Sequence, residues 1–385
     1  MKPFLHIVLL VVVLITSGCW DRKEINDLAF ISGAAGDLTA SGEFIISFQI
    51  AIPSASKKGG GQREKFFVIS ASGKNATEIL QKLQKKSSRM LFTAHRSVIF
   101  IGERLAKHGV KDILDIFSHD PKNRLRTYIM VVKGGEGREI LQSHYPFEQV
   151  PIEAIKEMEG MGSETAVTLR DFFISSSSEG IGPVMGVIAK EEYQKESNAN
   201  KLKLSGTAIF KDFKQVGILD AQETEGLLWI RSKLKFCRIT AELPEGKGNV
   251  GALLSHAKRK ITSEVNGDKV KLRIELQGRG SLIENNSALD VRKRENIQLV
   301  QKVLENAVKQ FVEDAVTKIK GQYQTDSLGF GQIVHRNHPR DWKVLKPHWE
   351  SKLPGVEVAI DVKLTISESG MAGAQLLLKE DEIIR

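Results

Sequence analysis

Between residues 297 and 319 the apolar side chains Ile297, Val300, Leu304, Ala307, Val308, Phe311, Ala315 and Ile319 recur at three- and four-residue steps. That spacing gathers them into one stripe along a helix and leaves the rest of the circumference polar. Such a helix needs a partner surface to take its stripe out of water. No long heptad run accompanies it, so the expected partner is a sheet rather than a second coiled-coil helix. A strand-like segment at 356–366 supplies one member of that sheet, and Gly321 stands where the helix is expected to end. Upstream, Asn266-Gly267 separates β-compatible runs at 250–264 and 270–277, the composition of a two-residue hairpin. With a strand at 202–210 and a helix at 220–231, residues 202–385 read as a C-terminal α/β domain with a long helix laid on a sheet.

The first half alternates strand and helix. Phe44, Ile46, Phe48, Ile50 and Ile52 fall on one parity, the face of a strand ending at Pro53, and 28–35 provides its hairpin partner across the polar turn 37–42. A Gly-, Ser- and Lys-rich loop, 54–65, follows. Beyond it come a strand at 66–70 and a helix opened by Asn75 and Glu78 with Ile79, Leu80 and Leu83 on one face. Then follow a strand at 97–101 and helices at 103–108 and 110–117, the second with Ile113, Leu114 and Phe117 inward. A turn at 120–123 leads to a strand at 128–132, the cluster Gly134-Gly135-Glu136-Gly137, and a helix to about Gln142. The polar stretch 191–201 reads as a linker, which makes 19–190 an N-terminal α/β region with room for two subdomains. The expected class is α+β or mixed α/β, multidomain, with mixed sheets and packed helices.

No chemical motif stands in the sequence. The glycines at 134–137 lack Gly-x-Gly-x-x-Gly spacing and suit a tight strand-to-helix turn, and Lys57-Lys58-Gly59-Gly60-Gly61 is not followed by Gly-Lys-Ser/Thr. His335 and His338 are three apart, but Gly329, Gly331 and Pro339 argue against a helix there and no third ligand stands at metal-site spacing. Gly-x-Ser-x-Gly is absent, and Ser175–Ser178 is a polar tract. Aromatics make up only 6% and do not interleave with bases, which argues against nucleic acid; a net charge of +9 suits anionic surroundings. The runs Lys258-Arg259-Lys260 and Arg292-Lys293-Arg294 read as solvated helix or strand ends. No catalytic residue, cofactor site or metal site is expected.

The chain has two cysteines, Cys19 and Cys237. A basic start with Lys2 precedes the apolar run 7–15, which is too short for a bilayer-spanning helix of about 20 residues but right for an export signal. The small residues Thr16, Ser17 and Gly18 end it at Cys19. This ending resembles the lipobox of bacterial lipoproteins, with threonine at 16 where leucine is most common. The resemblance implies removal of residues 1–18 and a diacylglyceryl group on Cys19. Cys237, between Leu234 and Phe236 on one side and Arg238 on the other, then has no intrachain partner and reads as a buried, unreactive thiol. A mature chain without disulfides must rest on its hydrophobic core, and 41% hydrophobic residues allow one.

Further stretches carry a wider resemblance: residues 18–27 (Gly-Cys-Trp-Asp-Arg-Lys-Glu-Ile-Asn-Asp), 100–106 with Ile113-Leu114-Asp115, Asp120-Pro121, 204–210, Gly226-Leu227-Leu228-Trp229, and Asp326-Ser327-Leu328-Gly329-Phe330-Gly331 with His338-Pro339 and Trp342. In this order they resemble the C-subunit lipoproteins of bacterial spore nutrient-germinant receptors, with His119 where members often carry arginine. The resemblance implies a non-enzymatic subunit, lipid-anchored through Cys19 to the outer face of the spore inner membrane. It also implies two integral-membrane partners, the A and B subunits, a mixed α/β architecture, and no catalytic or cofactor residues. The competing reading is a secreted solute-binding or wall-binding lipoprotein without receptor partners, and a hydrolase ranks third.

Overall fold

The structure, a computed structural model, describes residues 24–52, 65–118, 124–143, 152, 165–191, 201–244 and 248–367. The signal segment, Cys19, the glycine-rich loop after Pro53, the 120–123 turn and the interior of the 191–201 stretch lie outside them.

A nine-stranded sheet comprises β1 (Leu28–Leu38), β2 (Phe44–Ala51), β3 (Phe66–Gly73), β4 (Met90–Phe92), β5 (Val98–Gly102), β6 (Tyr128–Val132), β7 (Val184–Glu191), β8 (Lys201–Lys211) and β9 (Lys214–Leu219). Its order is β3-β2-β1-β5-β6-β7-β8-β9, with β4 also paired to β1. The middle, β1-β5-β6-β7, is parallel, and antiparallel pairs flank it on both sides. Parallel strands need crossovers, and α1 (Ala76–Gln84), α2 (Glu103–His108), α3 (Lys111–Ser118), α4 (Gly137–Leu141) and α5 (Leu169–Ser177) lie within or beside them. The alternation of strand side chains feeds two cores. Ile99, Ile101, Ile129 and Val131 enter the larger, whereas Val98, Phe100, Met130 and Val132 pack with Ile140 and Leu141 of α4. In α1, Ile79 and Leu83 are buried but Leu80 is exposed, so the inward stripe is narrower than expected.

The glycine cluster after β6 is a tight turn into α4, with Gly134 at φ +73°. The start of that helix is filled from within the fold: the buried Asp37 of β1 accepts N–H bonds from Gly137 at 2.7 Å and Arg138 at 3.0 Å. Burial pushes its carboxyl from 3.8 up to about 6, against the pull of those two amides. A carboxyl whose pKa rises on folding holds its proton more tightly in the native state. Its stabilising contribution is therefore full below about pH 4 and lost as pH rises through about 6. The difference in unfolding free energy between wild type and Asp37→Asn should shift by up to about 3 kcal/mol across that window, and urea titrations at several pH values would read it.

After β9 come α6 (Ala221–Ile230) and a four-stranded sheet, β10 (Cys237–Glu242), β11 (Gly248–Asn266), β12 (Lys269–Ser287) and β13 (Glu357–Ser367), in that order. The hairpin is present, but Asn266 pairs with Lys269, so its two loop residues are Gly267, at φ +57°, and Asp268. The long helix α7 (Arg294–Thr317) packs on β10 and β13. Its Glu305 and Gln301 side chains accept the N–H groups of Leu364 and Ile366, each at 3.0 Å. The free edge of β13 is thereby covered rather than left as a template for another strand. Gly321 does not end the helix. Buried Ile319 holds a wider π-type turn, Lys318–Tyr323, on the core, and Gln324 stops it at φ +48°.

Helix α8 (Phe330–Asn337) lies where Gly329, Gly331 and Pro339 argue against a helix, and α9 (Pro339–Leu345) and α10 (Trp349–Lys352) follow it. Gly329, at φ +80°, stands outside α8 as its N-cap, and Pro339 opens α9, where a missing N–H is no loss. The stretch 191–201 is bordered by β7 and β8, which pair antiparallel in one sheet, with Glu191 opposite Lys201. The larger core runs without interruption from Ile99 of the first sheet to Leu304 of α7.

Candidate functional site

Cys237 is buried in β10 and its Sγ donates to Glu225 Oε2 at 3.5 Å; burial pushes the thiol up, away from the reactive thiolate form. The two histidines diverge. His335 stacks on Trp342 with ring centres 5.7 Å apart, while His338 Nε2 lies 2.8 Å from the Ser263 carbonyl oxygen. Among the described residues no group of three His, Cys, Asp or Glu is placed to hold a metal ion.

What the 326–331 segment builds is a junction. Asp326 is buried and accepts N–H bonds from Gly329 and Phe330 at 2.9 Å, Gly331 at 2.6 Å and the Trp349 indole at 2.8 Å. Burial holds its carboxyl above the usual range against the pull of those four donors. Its carbonyl accepts the Gly182 N–H at 2.7 Å, which ties the segment to the 178–183 loop between α5 and β7. The same loop gives the Gly180 carbonyl to the Gln332 N–H at 2.9 Å. Gly180 has φ +69°, and a Cβ there would strike the backbone of Gly331. Beside this contact Glu179 accepts from the Trp342 indole at 3.0 Å and Lys346 Nζ at 2.5 Å, and Trp342 meets Trp349 edge-on at 5.3 Å. Lys346 and then Trp342 hold the Glu179 carboxyl below its ordinary range.

Next to the junction lies a cleft of about 490 Å³. One wall comes from 165–167, α5 and β7, the other from α6, β11 and α8. Its apolar lining includes Ile174, Ile181, Val184, Leu227, Leu328 and Ile333, and Ile174 is 49% exposed. Its charged lining is lopsided: Arg231, Lys233, Lys235, Arg259 and Arg336 face a single acid, Asp171. Arg259 therefore lines a cleft from within β11 and is not a solvated strand end. Its Nε donates to Ser232 Oγ at 2.8 Å, and burial and then the nearby Arg336 lower its pKa. None of these cleft residues was singled out in the sequence for chemistry. They span 165–336, and the one local hint was that strand alternation turns Arg259 away from Lys258 and Lys260.

Two family models match, one described as the spore germination protein N-terminal domain over residues 21–190, the other as spore germination B3/GerAC like, C-terminal, over 205–370. The chain belongs to the germinant-receptor C-subunit family. This C subunit is 29% identical to YfkR of Bacillus subtilis (strain 168) over 94% of its own length and 95% of that protein's. It is 25% identical to spore germination protein KC of the same organism, over 94% of each chain. A crystal structure of the GerBC protein has the same fold: TM-score 0.59 at 19% identity, covering 90% of this C subunit and 99% of that chain. The two family models divide near the 191–201 stretch, whereas the large sheet of the C subunit continues across it through β8 and β9.

Proposed function

We propose that this C subunit is held at the outer face of the spore inner membrane by a diacylglyceryl group on Cys19, as domains 19–190 and 202–385 after loss of residues 1–18. There it acts without catalysis, beside two integral-membrane subunits, A and B, in passing nutrient recognition on to germination. The carrying observation is a coincidence: family models cover both halves of the chain, and the first begins just after the Ser17-Gly18-Cys19 ending of a short apolar run. Among the described residues no helix is long and apolar enough to cross a membrane. Two acyl chains, at about 0.8 kcal/mol per buried CH₂, suffice for a stable hold where one gives only reversible binding.

Cys19→Ala should leave the chain uncut or release it from membranes, with germination weakened. Membrane fractionation with lipid labelling checks this, and a labelled, membrane-bound Cys19→Ala product would overturn it. A lipid-preserving pull-down from spore membranes should bring two multi-span proteins along. The second reading, a solute- or wall-binding lipoprotein without receptor partners, draws on the cleft. It predicts that the same pull-down returns the chain alone.

A further inference from the structure

We propose that the cleft between α5, α6, β11 and α8 binds a small organic carboxylate with an apolar body, the carboxylate resting on Arg231 and the Arg259–Arg336 pair. The first ground is an unused donor. Arg231 Nη1 is buried and has no hydrogen-bond partner among the described residues, while Nη2 reaches only Ser175 Oγ at 3.4 Å. A buried guanidinium N–H without an acceptor is costly, and a site that keeps one is built for a group that arrives from solution.

The second ground is charge. Folding brings five bases to one cleft against Asp171, and the carboxylates that act on Arg231 are already committed. Asp326 is held by its four donors, and Asp171 Oδ2 caps its own helix, accepting from the Thr168 N–H at 3.2 Å and Thr168 Oγ1 at 2.7 Å. Arg259 and Arg336 oppose one another without an intervening acid among the cleft residues. Like charges held together raise the energy of the empty site, and an arriving anion relieves that repulsion. Planar guanidinium groups match a carboxylate in paired N–H bonds better than ammonium groups do.

The third ground is shape. A cleft of about 490 Å³ is within the ordinary range for small-molecule sites, and its apolar walls leave Ile174 half uncovered. A bare inorganic anion would use the cations and leave those walls wet. The assignment concerns the isolated chain and holds with or without membrane attachment or partner subunits.

The test uses the full-length lipidated protein in detergent. Hexanoate and benzoate are the probes, hexanamide and benzamide the uncharged controls of equal shape, and inorganic phosphate the anion without an apolar body. Both carboxylates should raise the Tm progressively, with the logarithm of their concentration once it exceeds Kd, since binding to the native state adds stability by mass action. The amides should not, and phosphate should act more weakly. Arg231→Gln and Arg336→Gln should each weaken carboxylate binding by about tenfold or more. Arg336 is exposed, so its variant should fold normally, and at low salt it should show an unchanged or higher Tm without ligand. The proposal is overturned by absence of a Tm rise with either carboxylate at millimolar concentration, by an equal response to the amides, or by a stronger one to phosphate. Unchanged binding in both variants overturns it too. So does capture of an acidic protein segment that depends on Arg231 while free carboxylates are ignored.

Discussion

Asp326→Ala is expected to lower the unfolding free energy by about 3–5 kcal/mol. The substitution strips one acceptor from four donors at once: the backbone N–H groups of Gly329, Phe330 and Gly331 and the indole of Trp349. None can turn to water, because the segment sits under the 178–183 loop and the two tryptophans. Each unsatisfied buried group costs about 1–3 kcal/mol, and the sum is less than additive because α8 can shift once its cap is gone. Asp326→Asn should be intermediate, since its amide oxygen can still accept while its NH₂ faces further donors. Against a typical domain stability of about 5–15 kcal/mol, the alanine variant loses a large share. Urea denaturation reads the loss as a lower midpoint with an unchanged slope, and a shift below about 1 kcal/mol would show that Asp326 does not organise the junction.

Gly180→Ala should cost about 2–4 kcal/mol by the same measurement. Its φ of +69° disfavours any side chain, and the added methyl would occupy the backbone of Gly331. No rotamer change relieves a clash with main chain, so the loop must lift from α8. Gly331→Ala enters the same contact from the other side, where its Cβ would lie 2.7 Å from Trp342 and Trp349 side-chain atoms and 2.8 Å from Gly180 Cα. The double variant should therefore cost clearly less than the sum of the two, because either change alone opens the junction. Ile181 and Leu328 border both junction and cleft, so both variants should also weaken carboxylate binding to the cleft.

The parts of the fold legible in the sequence are those whose cause is local. Gly267 announces its own turn, and the α7 stripe carries its burial in its spacing. β5 and β6 read as short apolar runs because both faces are covered. Where the reading failed, a local symbol was given the wrong place in its element. Gly329 and Pro339 read as breakers, yet one precedes α8 as its cap and the other begins α9. The serines at 175–177 hid the last turn of α5, whose start is announced by a Thr168–Asp171 capping box. The candidate site is legible only in fragments. The 326–331 segment drew notice through the family resemblance, but its partners, Gly180 and Gly182, come from another part of the chain. The cleft depends on which way Arg231, Arg259 and Arg336 face once α6, β11 and α8 have met, and nothing short-range encodes that meeting.

The first long strand has a mechanical consequence. The chain enters its described fold at β1, which lies inside the large sheet and not at its edge. From Ile31 onward it is bonded to β2 on one side; on the other it is bonded to β4 over Leu28–Phe30 and then to β5 over Gly33–Gly36. A pull along the strand from the amino-terminal end therefore loads two rows of hydrogen bonds beyond Phe30, where an edge strand would offer one. Strain arriving from that end meets the interior of the sheet first, three strands away from β7, whose Val184 lines the cleft.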